Sequence, residues 1–349
     1  MELPRATVII VNTNERDHLK RCLPSVLGQQ YGEYEVLVVD NASTDGSVEV
    51  VGREFPQVKL IRNAANLGYV GANNVGFEHA TGEVLVVLNP DTRVEPNWLW
   101  ELVLALESTP SAGLATSKIL MMDDPQRINT CGNEITFAGI TVCRGLGQPA
   151  DRYDRLEVVS AVSGAAFAVK RSVLGQIGPF DQSFFIYYED TDLSLRAALA
   201  GYDCLYVPTS VVYHDYAFRF SAWKCFLQER NRLFSWLKVF RWGTLAALLP
   251  ALLLAEIMAW GYALLQGAGH VRSKAQSYAW LVKNRRQIAE ARRQTQALRR
   301  VGDRHLLRRL SHRLTMAETT NRTVAAVLEA IVQSLLWLWG SICRIVVVW

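Results

Sequence analysis

GEVLVVLNPDT, residues 82–92, decides the fold. Its apolar run has the composition of a buried strand and stops at a short polar turn carrying one carboxylate, Asp91. Such a strand delivers the acid to the C-terminal edge of a sheet, where open α/β sheets bind ligands. An acid there also suits a plain turn or a helix cap, so the weight rests on what surrounds it.

Three further strand patterns lie upstream: ATVIIVN (Ala6–Asn12), YEVLVVD (Tyr34–Asp40) and VKLIRN. Between the first two, ERDHLKRCLPSVLGQQ carries Leu19, Leu23 and Val26 at helical spacing. NLGYVGANNVGFEHATG is rich in small residues and is predicted to be helical from about Val70. Strands alternating with helical patterns give a parallel sheet in an α/β domain. No Walker loop or GxGxxG follows the first strand, which argues against phosphate-loop and dinucleotide-binding proteins. Asp40 and Asp91 both end apolar strands, so one sheet edge holds two carboxylates, suited to a ribose and a divalent metal.

The chain has 349 residues, half of them hydrophobic, enough for one large domain or two smaller ones. Its net charge of +4 hides a division: residues 1–223 hold 17 Lys and Arg against 27 Asp and Glu, and residues 224–349 hold 20 against 6. The acidic half suits metal and general-base chemistry, and the basic half suits an anionic partner. Six scattered cysteines without CxxC spacing argue against a zinc site or a disulfide framework and fit a reduced, cytosolic setting. No basic, cleavable apolar leader precedes the first strand, which argues against secretion.

A second informative block runs from Val162 to Tyr202, centred on YYEDTD. Glu189, Asp190 and Asp192 crowd just before the helical pattern LSLRAALA. Acids in a first helical turn favour the dipole, but the flanking aromatics and the pair Phe180-Asp181 are not required for capping. Ser163-Gly164-Ala165 forms a small-residue turn before the strand AFAVK, and His214 ends the apolar run LYVPTSVVYH.

VIIVNTN, VVDNASTDGS, NLGYVGANN and LNPDT, in this order, resemble the family 2 glycosyltransferases with a GT-A fold, most closely their rhamnosyltransferase-like branch. The resemblance covers about residues 5–240. It implies a GT-A nucleotide-diphospho-sugar transferase domain. Val11, Thr13 and Asp40 would cradle the nucleoside, and Asn66, Gly68, Asn89, Gly164 and Ala165 would complete donor binding. The family's DxD motif reads Asn89-Pro90-Asp91 here, so Asp91 is the implied direct ligand of Mg²⁺ or Mn²⁺. His214 matches a metal- or diphosphate-binding histidine of the family, and Asp215 is placed to orient its imidazole. Asp190 matches the catalytic base of an inverting transfer. Glu189 would bind acceptor or tune Asp190, since two close carboxylates can raise one pKa.

The expected organisation is a GT-A domain over 1–222, an amphipathic interface helix over 223–242, and a hydrophobic membrane segment, re-entrant or spanning, over 243–265. A basic amphipathic helical linker over 266–323 and a second hydrophobic segment over 324–349 follow. Gly243–Leu265 carries one charge, Glu256, and is long enough for a ~30 Å hydrocarbon core. The linker holds 14 Lys and Arg against 3 acids and is expected on anionic headgroups. Positive loops stay cytoplasmic, so both flanks of the first segment want one side. Nucleic acid is not an expected partner, because the linker sits between apolar segments. The second segment offers a surface for a homo-oligomer. Gln228 is followed by Glu-Arg-Asn, so the QxxRW of processive synthases is absent, implying one or a few sugars added per acceptor.

Together these imply transfer from a dTDP-rhamnose or UDP-sugar type donor to a lipid-linked saccharide at the cytoplasmic membrane face, for envelope polysaccharide. The alternatives are transfer onto a polyprenyl phosphate and a catalytically degenerate GT-A membrane scaffold.

Overall fold

A computed structural model describes residues 3–217, 220–314 and 322–349, with the backbone alone over 322–327. The last part of the expected basic linker, 315–321, lies outside the described residues. The chain divides into two compact units. The first comprises 1–133, 143–197 and 202–216; the second comprises 134–142, 198–201 and 217–349.

The first unit begins with β1 (Ala6–Asn12), α1 (Arg16–Leu27), β2 (Tyr34–Asp40), α2 (Ser47–Glu54), β3 (Lys59–Arg62), α3 (Gly68–His79) and β4 (Val84–Leu88). β1 and β4 are buried at every position, as expected of central strands covered on both faces. The four strands run parallel in the order β3-β2-β1-β4. α3 starts at Gly68, two residues before the predicted Val70.

Next come β5 (Thr92–Val94), α4 (Trp98–Ser108), β6 (Ala112–Met121) and β7 (Ile128–Thr130), and then β8 (Asn133–Ile135) and β9 (Thr141–Cys143), which fall largely in the second unit. Then follow β10 (Glu157–Val159), β11 (Ala166–Lys170), α5 (Arg171–Ile177), α6 (Glu189–Leu199) and β12 (Asp203–His214). The sheet continues as β4-β11-β6-β12-β10.

Strand direction decides what meets at its edge. β11 runs antiparallel to β4, with Ala166 opposite Leu88, so the turn entering β11 lies beside the turn leaving β4. β12 runs parallel to β6 and pairs antiparallel with the short β5, with His214 opposite Thr92. An irregularity in β12 between Val207 and Val211 resets its register and accommodates Pro208. The ends of β1, β2, β4 and β12 and the start of β11 thus share one edge.

The second unit holds α7 (Ala222–Val239), α8 (Trp242–Gln266), α9 (Ala268–Lys283), α10 (Arg285–Ala297), α11 (Asp303–Arg309) and α12 (Arg322–Val346). The segment of the expected amphipathic interface helix forms α7, which buries apolar and charged side chains alike. Leu227, Phe234 and Trp236 of α7 are buried, and so are Arg230, Arg232 and Lys238. Arg292 and Gln296 of α10, and Arg299 just past it, donate to the carbonyls of Leu237, Lys238, Val239 and Phe240, capping the end of α7. Cations and donors at a helix C-terminus satisfy its orphan carbonyls and its dipole. Part of the linker's positive charge is therefore consumed inside the unit. All six cysteines are free.

Candidate active site

Asp91 sits in the turn between β4 and β5. Its Oδ2 lies 3.3 Å from His214 Nε2, as the β5–β12 register requires. His214 Nδ1 lies 3.0 Å from Asn129 Oδ1. An amide oxygen only accepts, so Nδ1 is the nitrogen that donates to Asn129, and Nε2 is the one that faces Asp91. The expectation that Asp215 orients this imidazole is corrected: Asn129 does so. Asp215 is engaged by His18 at 3.4 Å and Arg21 at 3.3 Å, both on α1. The reason is chain direction, since beyond β12 the side chain of the next residue turns away from that of His214.

Asn89 links this pair to the second cluster. Its backbone N–H donates to Ala165 O at 2.9 Å. The next residue back, Gly164, donates its N–H to Asp190 Oδ2 at 2.8 Å. Asn133 Nδ2 reaches the same oxygen at 3.3 Å, and Thr191 donates its N–H to Oδ1 at 2.6 Å. The small-residue turn thus anchors Asp190. A Cβ on Gly164 would stand 3.4 Å from Asp190 Oδ2, which sets the closeness of that anchor. Tyr69 completes it by donating its hydroxyl to Gly164 O at 2.7 Å. Burial beside Glu189 and Asp190 keeps that phenol protonated.

Asp190 is the second residue of α6, in the favourable field of a helix N-terminus. Phe185, Tyr187 and Tyr188 lead into it, all with positive φ (66°, 69° and 73°). Three non-glycine residues in this region store backbone strain, which concentrates where geometry is functionally imposed. Asp192 is not a cap: it is fully buried and pairs with Arg196 at 2.9 Å, whose guanidinium binds the carbonyls of Ile177, Gly178 and Pro179.

Glu189 is buried, and burial, then Asp190, push its carboxyl up to about 8. Burial also raises Asp190, against its backbone and Thr191 hydrogen bonds. A carboxyl raised in the fold contributes stability below its unfolded pKa and loses it as pH rises through the folded value. Glu189→Gln should accordingly gain in Tm over the parent as pH rises from about 5 to 8, then level off. Thermal unfolding at five pH values checks this; a constant difference contradicts it.

The remaining candidates gather at the ends of β1 and β2. Val11 is buried and Thr13 lies just past β1, half-buried. Asp40 is buried, accepting from Asn12 Nδ2 at 2.8 Å and from the Ser43 N–H at 3.2 Å. Its neighbour Asn41 bonds the side chain of Asn66, the carbonyl of Gly68 and the N–H of Leu67. Asn66 Oδ1 also accepts the Gly68 N–H. A pocket of about 360 Å³ opens alongside, lined by Asn14, Arg16, His18 and Asp45 among others. Gly68 has φ +71°, and a Cβ there would stand 2.6 Å from the carbonyl oxygen and ring of Phe185. Gly68→Ala should cost about 3 kcal/mol from left-handed strain and overpacking together. Urea unfolding measures it; a loss under 1 kcal/mol would show that the Phe185 segment yields freely.

Sequence reasoning missed Asn129, Asn133, Tyr69, Asn12 and Asn41. Asn129 and Asn133 lie in INTCGNEI, which has no histidine, no acid cluster and no helical spacing to mark it.

Among the described residues, six buried side-chain polar atoms lack a partner, and four of them belong to Asn89, Asp91, Asn129 and Glu189. Buried polar atoms are nearly always satisfied, and a bound group at this edge would satisfy these. Asp91 Oδ1, Asn89 Oδ1 and His214 Nε2 form a donor set that suits a hard divalent cation. No group of three His, Cys, Asp or Glu forms a complete cage among the described residues. The set thus fits a cation whose remaining positions are filled by a ligand such as a diphosphate.

The model of glycosyl transferase family 2 matches residues 7–178. The chain is 32% identical over 234 residues to an N-acetylglucosaminyl-diphospho-decaprenol L-rhamnosyltransferase of Mycobacterium tuberculosis, covering 60% of this chain and 76% of that protein. The chain belongs to glycosyl transferase family 2. Uncharacterized protein y4gI of Sinorhizobium fredii is 30% identical over 227 residues, 60% of this chain but only 24% of that longer protein. The fold is shared with a mannosyltransferase of Pyrobaculum calidifontis in complex with GDP-Man and Mn²⁺. That likeness has a TM-score of 0.51 at 19% identity and covers 99% of this chain and 88% of that one. This family 2 protein is a glycosyltransferase with a mixed α/β, GT-A-like domain, acting on a nucleotide-sugar donor.

Proposed function

We propose that this glycosyltransferase catalyses inverting, metal-dependent transfer from a dTDP-rhamnose or UDP-sugar type donor to a lipid-linked saccharide at the cytoplasmic membrane face, for envelope polysaccharide. The observation that carries it is the cluster of unsatisfied buried atoms on one sheet edge, hydrogen-bonded through Asn89, Ala165 and Gly164 to Asp190.

Asp190 is the base. Its carboxylate takes the proton of the acceptor hydroxyl while that oxygen forms its bond to the anomeric carbon and the bond to the diphosphate oxygen breaks. The nucleoside diphosphate leaves from the opposite face, so the configuration inverts. When bound, a divalent cation on Asp91, His214 and Asn89 supplies positive charge against the departing diphosphate. Asn129, by holding Nδ1, turns Nε2 of His214 toward Asp91 for this role. Glu189, whose carboxyl burial and Asp190 push up, binds the acceptor or tunes Asp190. The nucleoside would lie along Val11, Thr13 and Asp40, with Asn66 and Gly68 shaping the adjacent loop.

The lipid acceptor is supported by the name of the mycobacterial relative and by the second unit's exposed apolar helices, which give a lipid tail somewhere to remain. Purified protein supplied with donor and Mn²⁺, and either an N-acetylglucosaminyl-diphospho-polyprenol or the bare polyprenyl phosphate, tests it. Turnover with the first alone supports this reading; turnover with the bare phosphate alone replaces it.

A further inference from the structure

We propose that α8 and α12 form one apolar platform lying in the plane of a single anionic lipid leaflet, and that neither helix spans it. The inference rests on the membrane association proposed above and specifies its geometry. By length and composition both helices qualify as spans, over Trp242–Gln266 and Leu328–Val346. The charges around α8 oppose this.

Glu256, near the middle of α8, pairs with Arg232 of α7 at 2.5 Å and with Lys274 of α9 at 2.7 Å, and Tyr278 also donates to it. The side chains of Arg232 and Lys274 are 3% and 0% exposed, and both also bind Glu229 of α7. Pulling Glu256 away would leave buried cations uncompensated, which is strongly unfavourable. α8 therefore carries α7 and α9 with it. Those helices hold Lys224, Arg230, Lys238, Arg272 and Lys283 besides the cluster itself. A spanning α8 would drag this charge toward the bilayer centre. An α8 lying in the plane keeps the cluster at headgroup depth.

The outer face fits that position. Leu249, Leu253, Ile257 and Leu264 recur on one side of α8 and are 51–69% exposed. On α12, Leu328, Ile331, Leu335, Leu338, Ile342 and Ile345 recur every three or four residues and are exposed as well. The two helices are joined by Trp339 Nε1 donating to Ala247 O at 2.8 Å, and Trp349, just past α12, donates its Nε1 to Thr244 Oγ1 at 3.0 Å. Trp242 and Trp337 are exposed, and Trp favours the water–lipid boundary. Arg272, Lys283, Arg285, Arg286, Arg293 and Arg300 stay exposed on α9, α10 and the turn after α10. Their charge complements anionic headgroups, which favours a lipid surface over a second copy of an equally basic unit.

The test uses the full chain with sealed phosphatidylcholine vesicles, with and without phosphatidylglycerol. Flotation should rise about tenfold with the anionic lipid. Leu253→Asp with Ile257→Asp, both at exposed positions, should lower it about tenfold or more. Fluorophores placed through Leu249→Cys, Ile257→Cys and Leu264→Cys, read against the wild-type background, should be quenched by spin-labelled lipids at one shallow depth. Flotation with depth graded along α8 would overturn the in-plane platform and leave membrane association standing. Absence of flotation would overturn both. A concentration-dependent dimer in that case would assign the stripe to a second copy.

Discussion

Asp190→Asn should lower kcat by about 10³-fold while nucleoside diphosphate affinity stays within a few-fold of the parent. The carboxylate receives Gly164, Asn133 and Thr191, so an amide can keep the side chain roughly in place but cannot take a proton. Its NH₂ group must face donors on one side, which costs about 1–3 kcal/mol of stability. Calorimetric nucleotide binding and Tm distinguish this from collapse of the site. Near-parental kcat in a folded variant would remove Asp190 from the chemistry and move attention to Glu189, the neighbour with an unpartnered oxygen.

The second large effect is at Asp91. Asp91→Ala should weaken Mn²⁺-dependent nucleotide binding by about 100-fold or more, since even outer-shell changes at metal sites cost 10- to 100-fold. The Asp91 carbonyl accepts the Asp215 N–H through the backbone, so the turn survives the substitution. Metal-independent binding should change little. Titration of nucleoside diphosphate with and without Mn²⁺ separates the two, and unchanged affinity with metal would refute the ligand role. Asn129→Ala should act in the same direction but less, because it frees the imidazole of His214 rather than removing a ligand.

The parallel half of the sheet was legible because four apolar runs ended in polar turns, and Asp40 and Asp91 marked the edge. Periodicity could not show that β11 reverses direction against β4, yet that reversal brings Gly164 to Asp190. Nor could it show the β5–β12 register that sets His214 on Asp91. These are long-range pairings between short segments, and local pattern carries no signal for them. For the same reason Asn129 and Asn133 escaped notice while their partners did not. The surroundings of α7's charges were not legible for a different cause: Arg232 is buried against Glu229 and Glu256, and Lys238 lies 4.7 Å from the Phe234 ring centroid. Charge compensation between helices is invisible to the periodicity of one.

The most direct measurement is the anomeric configuration of the product. Incubating the protein with a nucleotide sugar, Mn²⁺ and a lipid-linked saccharide, and reading product and donor by proton NMR, should show acceptor-dependent release of nucleoside diphosphate and a linkage opposite in configuration to the donor's. A linkage that retains the donor's configuration, or release that ignores the acceptor, would contradict direct attack by a hydroxyl that Asp190 deprotonates.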